Sequence, residues 1–280
     1  MATTVMKTST GWGEWVKRAV SIADRCPWDG HGPRDGVGCL YCFARANARR
    51  RRQRPEVWTR PPTINWHEVL RNRGSLDGTT AYPGTHDITL DLLGPSIRLL
   101  ENLLENDNQV LLVTKPRLTC VRTICDVFAD HPYQRNIQWR FTITSRFDTD
   151  LSYWEPNAPG FFGREGALCY AVNSGYRVSV NTEPLTCTRA GAVALGRWAL
   201  ETLPDDGTAD GTLWFGRMNK AEARVIGDTE HRLPALLAEW DDEGVRRLHD
   251  QFKAEPRVRW KNSFKDVLGI PRNPEPGMDV

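Results

Sequence analysis

Long hydrophobic runs are missing from this 280-residue chain. Nothing in it approaches the ~20 consecutive apolar residues of a membrane-spanning helix, and the mean hydropathy is −0.51. An excess of one charge is missing too: 37 Lys and Arg stand against 35 Asp and Glu, so bulk charge selects no partner. The first residues, MATTVMKTSTGWGEW, have no apolar stretch of the kind a secretory signal needs. These absences lead to the expectation of a soluble cytoplasmic protein with no membrane contact. Aromatic bulk, by contrast, is plentiful. Eleven Trp, 9 Phe and 6 Tyr are more than a disordered chain leaves in water, and the length allows a substantial core.

A disulfide framework is not expected either. Seven cysteines make an odd count in a chain without an export signal, and a reducing cytosol keeps such thiols available as ligands. Cys26, Cys39 and Cys42 lie in CPWDGHGPRDGVGCLYC, a Gly-, Asp- and Pro-rich segment that reads as a loop ending in CxxC. Three thiolates close together can hold three irons of a four-iron four-sulfur cluster, leaving the fourth iron open to an outside ligand. His31 in the same loop makes a zinc site of three cysteines and one histidine the competing reading. Inert thiols are the third. Cys120, Cys125 and Cys169 read as core packing, His67 and His86 as structural, and most of the tryptophans as core.

After the loop, FARANARRRRQRPEVW reads as a helix with a basic face, carrying Arg45, Arg49, Arg50, Arg51, Arg52 and Arg54. From residue 80, runs of strand and helix type alternate. DITLDL is a short alternating run, and QVLLVTK is a continuous apolar run of the buried-strand type. Then come the amphipathic LTCVRTICDVFADH, the β-branched and aromatic IQWRFTITS, and a helix ending at Gly175. YRVSVNTEPL, a further helix, TLWFGRMN and a C-terminal helical region complete the order, and Val258 and Trp260 mark a last extended segment. Such alternation implies βαβ units and a mostly parallel sheet. Five or six units are too few for a closed eight-fold barrel, so the fold expected is α/β: a partial (β/α)6-type barrel with a cluster loop near the N-terminus. One domain over 1–280 is expected, with the loop and basic helix at 1–79, the core barrel at 80–225 and a helical closure at 226–280.

The cysteine triple resembles the CxxxCxxC motif of the radical S-adenosylmethionine superfamily. Tyr41 stands where that motif has an aromatic residue before its last cysteine, and Phe43-Ala44-Arg45 resembles the ending found in spore photoproduct lyase-like members. The loop between Cys26 and Cys39 is expanded to twelve residues, as in phage-associated three-cysteine proteins of unknown function. Further segments resemble the same branch in the same order: QVLLVTKP, the segment with Thr142, Thr144, Glu155, Pro156, Pro159 and Arg164, VSVNTEP, and LWFGRMNK.

The resemblance implies an enzyme that carries a [4Fe-4S] cluster on Cys26, Cys39 and Cys42. It would cleave S-adenosylmethionine reductively to a 5′-deoxyadenosyl radical, with electrons from a flavodoxin or ferredoxin. It implies cosubstrate contacts at Tyr41, Phe43, Asp87 (in GTHD, 84–87), Lys115, Thr144, Glu183 and Asn219, with Lys115 facing the methionine carboxylate and Asp87 its amino group. Lys115, Thr144, Glu183 and Asn219 each end an expected strand and so would meet at one mouth. Cys187, beyond another strand end, is a candidate hydrogen-atom donor of the photoproduct lyase kind, with packing as the plainer reading.

The substrate is open, with a nucleic acid or nucleotide expected first. Six arginines within residues 45–54, with Trp58 and Trp66 nearby, offer phosphate contact and stacking, although a solvated, acid-paired surface is the plainer reading. Arg257, Arg259, Lys261 and Lys265 read as a solvated edge or an extension of that face. The reading of a different class is a zinc-stabilised nucleic-acid-binding module without catalysis.

Overall fold

Seven strands form one sheet in the computed structural model, which describes residues 11–29, 38–50, 61–205 and 211–273. They are β1 (Arg18–Ala19), β2 (Thr80–Tyr82), β3 (Val110–Thr114), β4 (Ile137–Thr142), β5 (Arg177–Asn181), β6 (Leu213–Phe215) and β7 (Val258–Trp260). Every neighbouring pair is parallel and the spatial order is the chain order. β1 and β7 are the two edges, so the sheet curves without closing. Helices fill the connections: α1 (Phe43–Arg50) and α2 (Trp66–Leu70) between the first two strands, then α3 (Leu90–Leu104), α4 (Leu118–Val127), α5 (Asp148–Trp154), α6 (Phe161–Asn173) and α7 (Arg189–Thr202). α8 (Ala221–Arg224), α9 (Arg232–Glu239) and α10 (Asp242–Phe252) precede β7, and α11 (Asn262–Leu268) follows it. No helix among the described residues is long and apolar enough to cross a membrane.

The open α/β barrel is as expected, with β1 as an added strand. Two residues, Arg18 and Ala19, are too few to show a period of two, and they pair only because Thr80 and Ala81 offer an edge. DITLDL is not a strand. β2 ends at Tyr82, and Leu90, Asp91 and Leu92 already belong to α3, entered from Thr89.

The sheet buries two layers of side chains. On one face Leu112, Trp139, Phe141, Val180 and Phe215 pack under the helices in a large apolar core. The concave face carries Leu111, Gln138, Arg140, Ser179 and Trp214, matched across neighbouring strands by register. Residues before β1 cap that face. Trp15 lies edge-on to Trp214 at 5.7 Å, and the Arg140 guanidinium sits 4.5 and 4.7 Å from the two ring centres, within cation–π range of both. Its Nε donates to Ser179 Oγ at 2.9 Å.

On the helix side, α7 comes close enough to β6 and α10 that only glycine fits at 196. A methyl group there would lie 2.6 Å from the Phe252 ring tip and 2.8 Å from that of Phe215. Gly196→Ala is therefore expected to lower the urea midpoint, at an overpacking cost of about 1–3 kcal/mol. Equilibrium denaturation checks this, and an unchanged midpoint would mean that the two rings move aside freely.

Candidate active site

Cys39 and Cys42 flank a tight turn in which Cys42 N–H donates to Cys39 O at 3.0 Å, and Ala46 N–H to Cys42 O opens α1. Leu40, inside the turn, is held on both sides. Its N–H donates to Trp154 O and its carbonyl accepts from Ile226 N–H, each at 2.9 Å. Cys26 arrives from the other side, just ahead of a short turn at Pro27–Asp29. All three cysteines line one cavity of about 370 Å³, a size suited to a small-molecule ligand. The rest of the long loop, including His31, lies outside the described residues.

The cavity opens where the strands end, as the parallel topology requires. After β2 comes Asp87, whose Oδ1 accepts from the Lys115 backbone at 2.7 Å and from Thr114 Oγ1 at 3.0 Å. Its Oδ2 accepts from Trp28 Nε1 at 2.8 Å and lies 3.5 Å from Lys115 Nζ and 3.9 Å from Cys26 Sγ. Burial alone would push this carboxyl up, but the Lys115 charge and these donors outweigh it and hold Asp87 below its ordinary range. Lys115 is half-buried beside it. Desolvation works against its charge, yet Asp87 and the other acidic groups around it keep it well above the usual lysine value. Its Nζ stands 5.7 Å from the centre of the Tyr41 ring.

Tyr41 donates its hydroxyl to Glu155 Oε1, as does Thr144 Oγ1 at 2.8 Å, and Arg164 Nη2 pairs with Glu155 Oε2. Both members of the Glu155–Arg164 pair are fully buried. Arg164 also donates to Pro159 O at 2.7 Å and to Thr142 O at 3.2 Å. Thr144 therefore corrects the sequence reading. It is a buried partner of Glu155 and does not line the cavity, because β4 ends at Thr142 and the chain has already turned inward.

On the far wall Asn219 donates to Glu183 Oε1. Glu183 Oε2 lies 3.2 Å from Lys261 Nζ, which is fully buried, 3.6 Å from Glu14 Oε1 and 3.8 Å from the Trp15 ring centre. Burial pushes the Glu14 carboxyl up; the nearby Glu183 charge adds to this and Lys261 opposes it. The solvated edge expected of the C-terminal basic residues fails here, since Lys261 and Lys265 are both buried. The signal was available: Lys261 ends β7 just as Lys115 ends β3.

Of the residues singled out, Tyr41, Phe43, Asp87, Lys115, Glu183 and Asn219 meet at the cavity. Cys187 does not. It is packed in the core and does not line the cavity; burial with the nearby Asp150 charge raises its thiol to about 12. Cys120 and Cys125 are core as expected, whereas Cys169 is only half-buried. His86 is structural but lines the cavity, accepting from Ile22 N–H at 3.2 Å; His67 is exposed. Arg50 lines the cavity too, and Arg45 is half-buried on α1. The Arg49 side chain and all of Arg51, Arg52, Arg54 and Trp58 lie outside what is described.

Glu155 titrates in a direction that can be tested. Burial raises its carboxyl, but Arg164 and Lys115, with the Tyr41 hydroxyl, hold it below the ordinary 4.5. A carboxyl with a lowered folded-state value binds protons more readily when unfolded. Its contribution is therefore present at neutral pH and is lost as pH falls from 4.5 through the folded value. Glu155→Gln should cost about 3–5 kcal/mol at pH 7, the penalty for leaving a buried partner uncompensated. It should also remove part of the acid-side loss seen in urea denaturation between about pH 7 and pH 3. Equal stability of the two proteins at pH 7 would contradict this.

No family model matches the chain, and no curated protein matches it in sequence. Solved structures do. A double mutant of spore photoproduct lyase with bound AdoMet and dinucleoside spore photoproduct superposes with a TM-score of 0.54 at 15% identity. A tyrosine-to-phenylalanine mutant of the same enzyme gives 0.52 at 17% identity. Each alignment covers 92% of this chain and 79% of the other. At the level of fold, the resemblance read from the sequence is borne out: this chain shares an open, parallel α/β barrel with spore photoproduct lyase.

Proposed function

We propose that the chain is a radical S-adenosylmethionine enzyme whose cavity at the strand ends holds a [4Fe-4S] cluster and one S-adenosylmethionine. The observation that carries the reading is the convergence of Cys26, Cys39 and Cys42 on one cavity with Asp87 and Lys115. The donor set fits the group. A four-iron cluster takes each thiolate on a different iron, and all three thiols line the cavity. When bound, the cluster supplies the electron that breaks the sulfonium bond of S-adenosylmethionine and releases the 5′-deoxyadenosyl radical.

The chain's own part is to bind and to enclose. Lys115, charged and half-buried, neutralises the methionine carboxylate, and Asp87 accepts from its amino group. Glu183 and Asn219, held by Lys261, offer an acceptor and a donor to the nucleoside. Tyr41 and Phe43 cover the cysteine turn, and the capped concave face keeps water and stray hydrogen donors away. Thr144 acts through Glu155 and has no direct contact. A flavodoxin or ferredoxin would bring the electron. The substrate class favoured is a nucleic acid or nucleotide, on the strength of the arginines on and after α1 and of the neighbour that binds a dinucleoside photoproduct.

Anaerobic reconstitution with iron and sulfide tests this. A brown protein with about four irons per chain, forming 5′-deoxyadenosine from S-adenosylmethionine on reduction, is expected. Cys39→Ala should lose both properties. Lys115→Ala should keep its iron and lose at least about tenfold in S-adenosylmethionine affinity, the scale of one charge-assisted contact. A colourless protein carrying a single zinc would overturn the reading.

A further inference from the structure

Two arginines on the cavity wall have no part in the proposed binding of cluster and cosubstrate. Arg50 is the last residue of α1 and Arg224 the last of α8, and both line the cavity. Arg50 is exposed, and its Nη2 donates to the Asn47 side chain, another lining residue. Arg224 is half-buried. Burial disfavours its charge and the Arg50 guanidinium disfavours it further, while Glu183 and Cys42 act in the opposite sense. Among the described residues neither guanidinium comes within ion-pair distance of a carboxylate. Glu183, the nearest acid, is engaged by Lys261 and Asn219.

Arg224 is also firmly placed. Its N–H and that of Ala223 both donate to Lys220 O at 3.1 Å, and two residues later Ile226 N–H donates to Leu40 O inside the cysteine turn. Its base is therefore tied to the segment that carries Cys39 and Cys42. Lys115, the cation assigned to the methionine carboxylate, stands on the third strand, and Arg224 lies beyond the sixth. The two cationic sites are separate along the sheet.

We infer that Arg50 and Arg224 form a clamp for a phosphate group carried by the substrate. Arg50 and Arg224 line the same cavity and repel each other, neither is ion-paired to a carboxylate among the described residues, and a doubly charged anion between them relieves that repulsion. A carboxylate has two oxygens and satisfies one guanidinium fork. A phosphate monoester presents three, enough for two forks at once. The clamp faces the same cavity as the three cysteines, so the phosphate anchors the substrate beside the reacting centre. This inference rests on the cavity being the reaction chamber, and it deepens that reading by naming the group the substrate must carry.

The test uses the full chain without iron or S-adenosylmethionine, titrated calorimetrically with phenyl phosphate, inorganic phosphate and benzoate. Phenyl phosphate should bind, and benzoate should bind at least about tenfold more weakly. Arg50→Gln and Arg224→Gln should each weaken phenyl phosphate by about tenfold to a hundredfold, the range of one charged hydrogen-bonded contact. Arg224→Lys, which keeps the charge and the fold but loses the fork, should weaken it as well. Arg246→Gln, on the exposed face of α10, should change nothing.

Undiminished phenyl phosphate binding in either glutamine variant would overturn the clamp, as would no binding at all or equal affinity for benzoate. An equal loss of S-adenosylmethionine affinity in reconstituted Arg224→Gln would overturn it too, by assigning the arginine to the cosubstrate. Iron content and 5′-deoxyadenosine formation are read separately. A chain that binds phosphate through these arginines and makes no 5′-deoxyadenosine would refute the radical reading alone.

Discussion

The Glu155 carboxylate receives three donors in a place closed to water, and the three come from different parts of the chain. Tyr41 belongs to the cysteine turn, Thr144 follows β4, and Arg164 is on α6. A buried charge is tolerated only when it is fully compensated, so these donors have little freedom to be elsewhere. Tyr41 is thereby pinned between two cysteines, and the Leu40 backbone is clamped by Trp154 and Ile226. The position of two of the three thiols thus follows from a carboxylate that contacts neither. The rest of the cavity is built outward from that fixed turn: Lys115 over the Tyr41 ring, and Asp87 against Lys115.

The cavity has two electrostatic characters. Near Asp87 and Lys115 the charges are paired and their hydrogen bonds satisfied, so this end is preorganised for a ligand that carries one charge of each sign. On the far side Lys261 is shared between Glu183 and Glu14, and Arg50 and Arg224 add two cations without an ion pair of their own among the described residues. A zwitterion and an anion would therefore be sorted to opposite ends of one chamber by Coulomb interactions that differ in sign balance and little in strength.

Much of this was readable from local pattern. Strand runs such as VLLVT are apolar because both faces are buried, and the residues that follow the strands project at the mouth, where the family resemblance also sets Lys115, Glu183 and Asn219. Thr144 was misjudged because one residue of turn reverses a side chain, and no periodicity reports where a strand stops. Lys261 was misjudged for a different reason. Its basic neighbours and the lack of an adjacent acid suggested water, whereas its partners Glu14 and Glu183 are distant in sequence. Arg224 gave no signal either, since four residues of helix carry no pattern and its meaning depends on Arg50, reached only through the fold. Long-range pairing of charges is the part of the site that local sequence does not encode.

The bond between Glu14 and the last strand has a consequence for assembly. The sheet has no ladder between β1 and β7, and the two ends are joined instead by Glu14 accepting from Asn262 N–H at 2.8 Å and pairing with Lys261. A nascent chain can order six strands from the first onward, each beside its predecessor. Until the seventh emerges, Glu183 faces the chamber as an uncompensated carboxylate and Trp15 lacks the cation on one face. The chamber is thus finished only by the seventh strand, after the six strands that form its floor have been made.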